Sequence, residues 1–475
     1  MWRMNKKMGA TVTTRSLSRR VGDWVAALRW DDAPGAVRKA CLEGVFQSVA
    51  GGVAGFAMPE TRIALEMASQ DGEKGSSTIL GNGLKVPIET AIFVNAAMFC
   101  SLEQQEMHVA SGSHPYQVIV PVTLVLAERL ESAGRDFLTA VLAGTEAMLA
   151  LAIVGLEIAP EWGMETSQAG AVYGAIGAAA SAAKLMKLDG EATAWALSHA
   201  ANLASGLAEC LWSGTTEYHW ALANASRVGY LAARLASSRA EAAPATFEGR
   251  AGFYHRFSEL SEKELGQIDL AGRVSGRLGR VWETPEHIYK RYPIHFNNLA
   301  FVDAAKTLRE RHRLAPERIT AIRITINRWC ELCDGANLGP YHGREATRGA
   351  TAFGVATMLA RGHYSLDDAH DHDAADINAL VRKTAIDTFH DPARSRDWRS
   401  LRLEVDAGTT YVYDGAIDEV PDYRLPMTEL RAIADDALSR VLGKSQTADA
   451  LKALEALESC SNVREMIARL IPRKA

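Results

Sequence analysis

Between Ser101 and Pro115 the sequence reads SLEQQEMHVASGSHP, placing Glu103, Glu106, His108 and His114 between two apolar segments. A plain connector would have no use for four titratable groups. Lining a pocket, such carboxylates and imidazoles are the acids and bases of proton transfer. The alternative is surface decoration, and composition alone does not choose between the two. A second cluster, Lys290-Arg291-Tyr292-Pro293-Ile294-His295, falls where the character of the chain changes. A Lys and a His five residues apart across a proline turn suit the binding of a carboxylate and the movement of a proton. Ligand sites favour domain junctions, although an ordinary basic linker would read the same way.

Other chemistry-bearing patterns are weaker. Cys330-Glu331-Leu332-Cys333 is a lone CxxC at the end of a strand, and a four-ligand zinc site would need a second pair that Cys41, Cys100, Cys210 and Cys460 do not form. The run GHYSLDDAHDHD carries His363, His370 and His372 among Asp367, Asp368, Asp371 and Asp373. Such density suits a divalent ion, but a polar run between two helices is more often a solvated loop with helix caps. No metal is therefore expected. Phosphate-binding, dinucleotide, serine-hydrolase and zinc-protease signatures are all missing, and no cofactor is expected either.

The elements that must position these residues fall into two sets. From Val21 to about Ser275 the pattern is helix after helix. Phe137, Val141, Gly144 and Met148 recur at helical spacing with apolar neighbours on the other faces, which marks a helix inside a bundle. Small residues from Gly174 to Ala183 (GAIGAAASAA) let helix backbones approach closely. No strand is expected before residue 280. After Tyr292-Pro293 the pattern becomes mixed. Leu299 to Arg311 reads as a helix, Ile322, Ile324 and Ile326 alternate as a half-buried strand, and Thr347 to Arg361 and Ala374 to Ala385 read as helices. Leu401, Leu403 and Val405 alternate again, and Asp406-Ala407-Gly408 turns into Thr409 to Tyr413, giving a hairpin. A last apolar stripe, Leu430, Ile433, Ala434, Ala437, Leu438, Val441 and Leu442, stops at Gly443 and needs a partner surface. The fold class is thus mixed. A large all-α domain at 21–280 is completed by C-terminal helices at 416–475, with a smaller α/β domain at 281–415 between them.

Length and composition agree. The chain has 475 residues, too many for one compact core. Its net charge of -5 leaves no basic footprint for nucleic acid. Six scattered cysteines fit a reducing compartment. The apolar stretches Thr139 to Ala159, interrupted by Glu146, and Gly170 to Met186, with Lys184 near its end, read as buried helices and not membrane spans. The first 20 residues form an expected disordered leader. Its Arg3, Lys6, Lys7, Arg15, Arg19 and Arg20, unaccompanied by acids, also have the composition of a transit peptide. Cytoplasmic location is expected, with the mitochondrial matrix as the alternative.

The two clusters, together with TILGNG at Thr78 to Gly83, PYQVIVPVTLVLAE at Pro115 to Glu128, GRDFLTAVLAGTE at Gly134 to Glu146, EGRAGFY at Glu248 to Tyr254 and LPMTEL at Leu425 to Leu430, occur in an order that resembles the MmgE/PrpD family. That family includes 2-methylcitrate dehydratase, cis-aconitate decarboxylase and iminodisuccinate epimerase. The resemblance spans roughly residues 21 to 445. It implies a helical domain with an inserted lid domain, a site between them, a homodimer and no cofactor. It also implies active-site roles for His114, Lys290 and His295, which match the family pattern. Glu103 stands where the family has Asp, Met107 replaces a Thr, Gln168 lies near a usual His, and Tyr218 takes the place of a second Lys. His108 and Arg291 flank these positions as further substrate-binding candidates. With one cation missing, a substrate with fewer carboxylates and a more apolar body is expected.

The chemistry this implies is removal of a proton beside a carboxylate or carbonyl of a small organic acid, followed by loss of a β-hydroxyl as water. Lys290 would bind the anion, His295 and His114 would be base and acid, Glu103 would orient one of them or act as base, and Tyr218 would donate to a substrate oxygen. Epimerisation or decarboxylation would use the same parts. A non-catalytic binding paralogue is the alternative from another class, given the changes at Met107, Gln168 and Tyr218.

Overall fold

A computed structural model describes residues 16–72, 74–159, 167–258 and 260–473. Helix after helix fills the first half: α1 (Leu17–Ala27), α2 (Gly35–Ala54), α3 (Pro59–Asp71), α4 (Ile88–Ser101), α5 (Pro115–Leu130), α6 (Gly134–Ile158), α7 (Ala169–Leu185), α8 (Gly190–Leu203) and α9 (Glu217–Ser237). The centre is α7, which packs against α5, α6, α8 and α9. Its small residues make this possible. A Cβ built on Gly144 would come within 2.6 Å of the Gly177 carbonyl oxygen, and one on Gly177 within 2.8 Å of the Met148 Cβ. Side chains at either glycine would force α6 and α7 apart. Both apolar stretches that could pass for spans lie in this bundle. Every residue of α6 from Phe137 to Gly155 is buried, and so is nearly all of α7.

Two sequence expectations are corrected here. A short hairpin, β1 (Ser77–Thr78) with β2 (Lys85–Val86), precedes residue 280. Its strands are too short for alternation to show, and the turn between them is the TILGNG segment. Helix α1 begins at Leu17, inside the expected leader. Ser16 Oγ accepts from Arg19 N and Leu17 is fully buried, so cap and core order this end. Residues 1–15 of that expected leader lie outside the described residues.

The second half carries its own core. Helix α10 (Leu299–His312) is followed by a four-stranded sheet in the order β4-β3-β5-β6, built from β3 (Ala321–Ile326), β4 (Thr384–Thr388), β5 (Arg402–Asp406) and β6 (Thr410–Asp414). Ile322, Ile324, Ile326, Leu403 and Val405 point to one buried face, as their alternation requires. The β5–β6 hairpin forms as read, but Ala385 belongs to a strand and not to a helix. β4 pairs parallel with β3 at the sheet edge, and only Thr384 in it is buried, so it carries little hydrophobic signal. The helix read at Thr347 to Arg361 is two: α11 (Arg344–Gly349) and α12 (Thr351–Arg361). Ala350 between them is extended. The carbonyls of Arg348 and Gly349 face outside partners, His295 N and the Asn298 amide, in place of continuing the helix.

Three C-terminal helices, α13 (Met427–Leu442), α14 (Lys444–Glu455) and α15 (Val463–Arg469), return to the first core. Ala434, Leu438 and Leu442 of α13 join the helical bundle, packing on α2, while α15 packs on α5. Burying such a stripe contributes several kcal/mol at about 25 cal/mol per Å². A chain ending at residue 425 should therefore melt at a lower temperature than the full chain. An unchanged calorimetric transition would show that the tail is not part of the bundle.

Candidate active site

The segment from Leu102 to His114 is fixed at its far end by the start of α5. Pro115 takes the first helical position, where its missing N–H costs nothing. The Glu106 carboxyl accepts from Tyr116 N at 2.7 Å, and the Glu106 carbonyl accepts from His114 Nδ1. A carbonyl can only accept, so His114 carries its proton on Nδ1 and leaves the Nε2 lone pair free. Burial, then Lys290, lowers the His114 pKa to about 4, keeping the ring neutral.

Lys290 and His295 arrive on a linker that the bundle holds. Glu146, buried in the middle of α6, accepts from Glu283 N, from Thr284 N at 2.8 Å and from Thr284 Oγ1 at 2.6 Å. Met107 and Ile288 then exchange backbone hydrogen bonds of 2.8 and 2.9 Å, joining the polar segment to the linker. Lys290 follows, 1 % exposed, with Nζ donating to Glu103 Oε2 at 3.0 Å. His295 N donates to the Arg348 carbonyl at 3.2 Å, and its Nδ1 is buried without a partner among the described residues.

Arg348, which the sequence reading missed, completes the group. Its Nη1 donates to Glu103 Oε1 at 2.7 Å and its guanidinium lies 5.3 Å over the Tyr218 ring. Glu103 thus bridges two buried cations. Burial alone would raise its pKa, but Arg348 and Lys290 hold it well below the usual carboxylate range. Burial, then Arg348 and Lys290, pushes His295 well below the ordinary imidazole range. Glu103 also sits at φ 58°, a left-handed conformation costing on the order of 1 kcal/mol for a side-chain-bearing residue. His114, Lys290, Glu103, Tyr218, Arg348 and His295 therefore form one group, drawn from both cores. Arg348 falls within the helix expected at Thr347 to Arg361, whereas Arg344 and Glu345 lie just before it. Their spacing matches a solvated face of ion pairs, and only the break at Ala350 turns Arg348 inward.

Other candidates go elsewhere. Gln168 Nε2 donates to the Leu207 carbonyl at 2.7 Å and reaches Cys210 Sγ at 2.9 Å. His108 pairs with Ser111 through Nδ1 and lies 3.4 Å from Glu283 through Nε2. Arg291 turns to Glu429 and Asp303, tying α13 to α10. Met107 is buried in the second core. Cys330 lies in a short helix after β3, not at the strand end itself, and its Sγ donates to the Asn297 carbonyl. In the His/Asp run, Ser365 caps the helix Leu366–His370 with Asp368 accepting from Ser365 N in return, and Arg361 pairs with Asp368 and Asp371.

Among the described residues, one group has metal-ligand composition: single ligand atoms of Glu60, His219 and Glu345 lie within 4.8 Å of one another. A cation already joins it. Arg344 Nη2 is 2.9 Å from Glu60 Oε1 and 2.8 Å from Glu345 Oε1, while its Nη1 donates to the Ser101 carbonyl at 3.0 Å. A divalent ion would have to expel this guanidinium, so these residues do not fit a metal. Chelator treatment should leave the melting temperature unchanged, whereas Arg344→Met should destabilise the fold by about 3 kcal/mol by stranding buried carboxylates. A chelator-induced fall in melting temperature would reverse the assignment.

The profile of the MmgE/PrpD N-terminal domain matches residues 19–265, and that of the MmgE/PrpD C-terminal domain matches residues 292–429. The chain belongs to the MmgE/PrpD family. A comparison with individual curated proteins gave no significant match.

Glu106 sets a pH dependence. Burial raises its pKa from 4.5 to about 8, so the folded chain holds this proton more tightly than the unfolded chain. The stabilisation is full below pH 4.5 and is lost as pH rises through about 8. His114, lowered from 6.5 to about 4, acts oppositely: its contribution is present above 6.5 and lost as pH falls towards 4. Glu106→Gln should flatten the fall in melting temperature between about pH 6 and 8. An equal fall in wild type and variant would exclude Glu106 as its source.

Proposed function

We propose that this protein is a cofactor-free lyase that removes a proton beside the carboxylate of a small organic acid and expels a β-hydroxyl as water. The observation that carries the reading is the free Nε2 of a neutral His114 in the same buried group as Lys290 and His295. A carbon acid needs a base that is unprotonated at working pH and a cation beside the oxygens where negative charge develops. His114 Nε2 takes the α-proton, and the electron pair moves into the carboxylate, where Lys290 steadies it. The pair then returns to form the C=C bond as the β C–O bond breaks.

The departing hydroxyl needs a proton, which is assigned to His295. Burial, then Arg348 and Lys290, holds that ring neutral. A substrate carboxylate adds negative charge while Glu103, displaced by it, stays in the same buried group, so binding itself raises the proton affinity of His295. Tyr218 sits against Arg348, which supports a role for it as donor to a substrate oxygen. The site lies between the two cores, with the α/β part acting as the lid.

Purified protein incubated with a panel of hydroxy acids and unsaturated acids in heavy water should introduce deuterium at the α-carbon, and His114→Ala and His295→Ala should each lower turnover by roughly 10² to 10⁴. Product analysis separates elimination from epimerisation and decarboxylation. A properly folded His295→Ala protein with near-normal turnover would sink this assignment.

A further inference from the structure

Arg344 and Arg348 stand one turn apart on α11, and they are used differently. Arg344 has an acceptor at every nitrogen: Glu345 at Nε, the Ser101 carbonyl at Nη1, and Glu60 and Glu345 at Nη2. That is a structural cation. Arg348 is only 7 % exposed, yet a single nitrogen, Nη1, makes a hydrogen bond. Its Nε is buried and lies 3.1 Å from Glu345 Oε2 without hydrogen-bond alignment. Lys290 also uses one of its three protons, on Glu103. Buried donors are almost always satisfied, so two cations with spare donors beside one shared carboxylate mark a place where another acceptor fits. Glu103 shows what that acceptor is. Its planar carboxylate spans the pair with one oxygen on each cation, at 3.0 and 2.7 Å.

We propose that Lys290 and Arg348 together form the seat for a substrate carboxylate, and that Glu103 holds this seat until the substrate replaces it. Arg348 is then a substrate-binding residue supplying the second cation that Tyr218 does not. The strained backbone at Glu103 favours its release, because leaving the seat allows the residue to relax. The charges in this cluster explain why a stand-in is present. Lys290, Arg344 and Arg348 are balanced by Glu60, Glu103 and Glu345, so an acid that enters without displacing Glu103 would bring unpaired negative charge into a buried space.

This inference rests on reading the site as one that receives a small acid, but its test is independent of turnover. Succinate, which has no β-hydroxyl to lose, is titrated calorimetrically into wild-type protein and variants, with its neutral diamide as control. Wild type should bind succinate and not the diamide. Arg348→Gln should weaken succinate by about 10- to 100-fold, the worth of a charge-assisted hydrogen bond. Glu103→Gln, which removes the competing charge, should tighten it about tenfold. Glu103→Asp keeps the charge but shortens the arm, so it should also bind more tightly and remains available if the Gln variant fails to fold. Equal affinity for succinate and the diamide, or no succinate binding, would overturn the seat. Unchanged succinate affinity in folded Arg348→Gln would overturn the role of Arg348. A folded Glu103→Asp protein with affinity no higher than wild type would overturn the competition. Loss of deuterium exchange with these binding changes intact would instead count against the lyase reading alone.

Discussion

Three cations, Lys290, Arg344 and Arg348, are removed from water at the meeting of two hydrophobic cores, and each must be matched where it lies. Desolvating an ion costs several kcal/mol, which an attraction in low dielectric recovers only when the partner is held in place. The partners come from distant elements: Glu60 from α3, Glu103 from the segment after α4, and Glu345 from α11 itself. Neither core could be moved relative to the other without stranding a charge. The ion pairs thus register the two halves, and they do so by a dry, fixed array of charge. The same low dielectric keeps His114 and His295 neutral, so the acid-base state of the site follows from the packing that builds it.

Positioning depends on a second buried acid. Glu146 sits in the buried middle of α6, where an isolated carboxylate would be a liability. It gathers two backbone N–H groups and a hydroxyl from Glu283 and Thr284, and so fixes the start of the linker that ends at Lys290 and His295. Burial raises its pKa to about 7 despite those bonds. In the sequence the same residue serves only to argue against a membrane span. Its use as an anchor depends on a linker 137 residues away, and local pattern carries no trace of it.

That contrast describes how much of the molecule was legible. Long amphipathic and apolar helices, the β3 strand with its alternating isoleucines, the β5–β6 hairpin and the α13 stripe follow from periodicity, because burial writes its period directly into the sequence. The edge strand β4 did not, since only one of its residues is buried. The two site clusters were visible because titratable residues between apolar helices are unusual. Their assembly was visible only through the family resemblance, as Glu103 and Lys290 are far apart in sequence. Arg348 was invisible by either route. A charged residue four positions after another on a helix reads as a surface pair, and only the extended backbone at Ala350 turns it into the interior.

Tyr218 and Arg348 are best understood as one change and not two. By resemblance a lysine belongs at 218, and a lysine there would place an ammonium near Glu103. A guanidinium brought in from α11 needs support, because it is broad, planar and poorly hydrated. The Tyr218 ring supplies that support at 5.3 Å from the guanidinium carbon, a contact contributing about 0.5–2 kcal/mol, while Glu103 and Glu345 border the edge of the plane. An ammonium beside the same ring would gain less from it and could not present two further nitrogens in a fixed plane. The longer arm of Glu103, where an aspartate is usual, belongs to the same arrangement, since it reaches Lys290 with one oxygen and Arg348 with the other. Departures that look like erosion when taken singly thus describe a site in which the second positive charge enters from the other core, on a residue whose geometry favours a planar, two-oxygen anion.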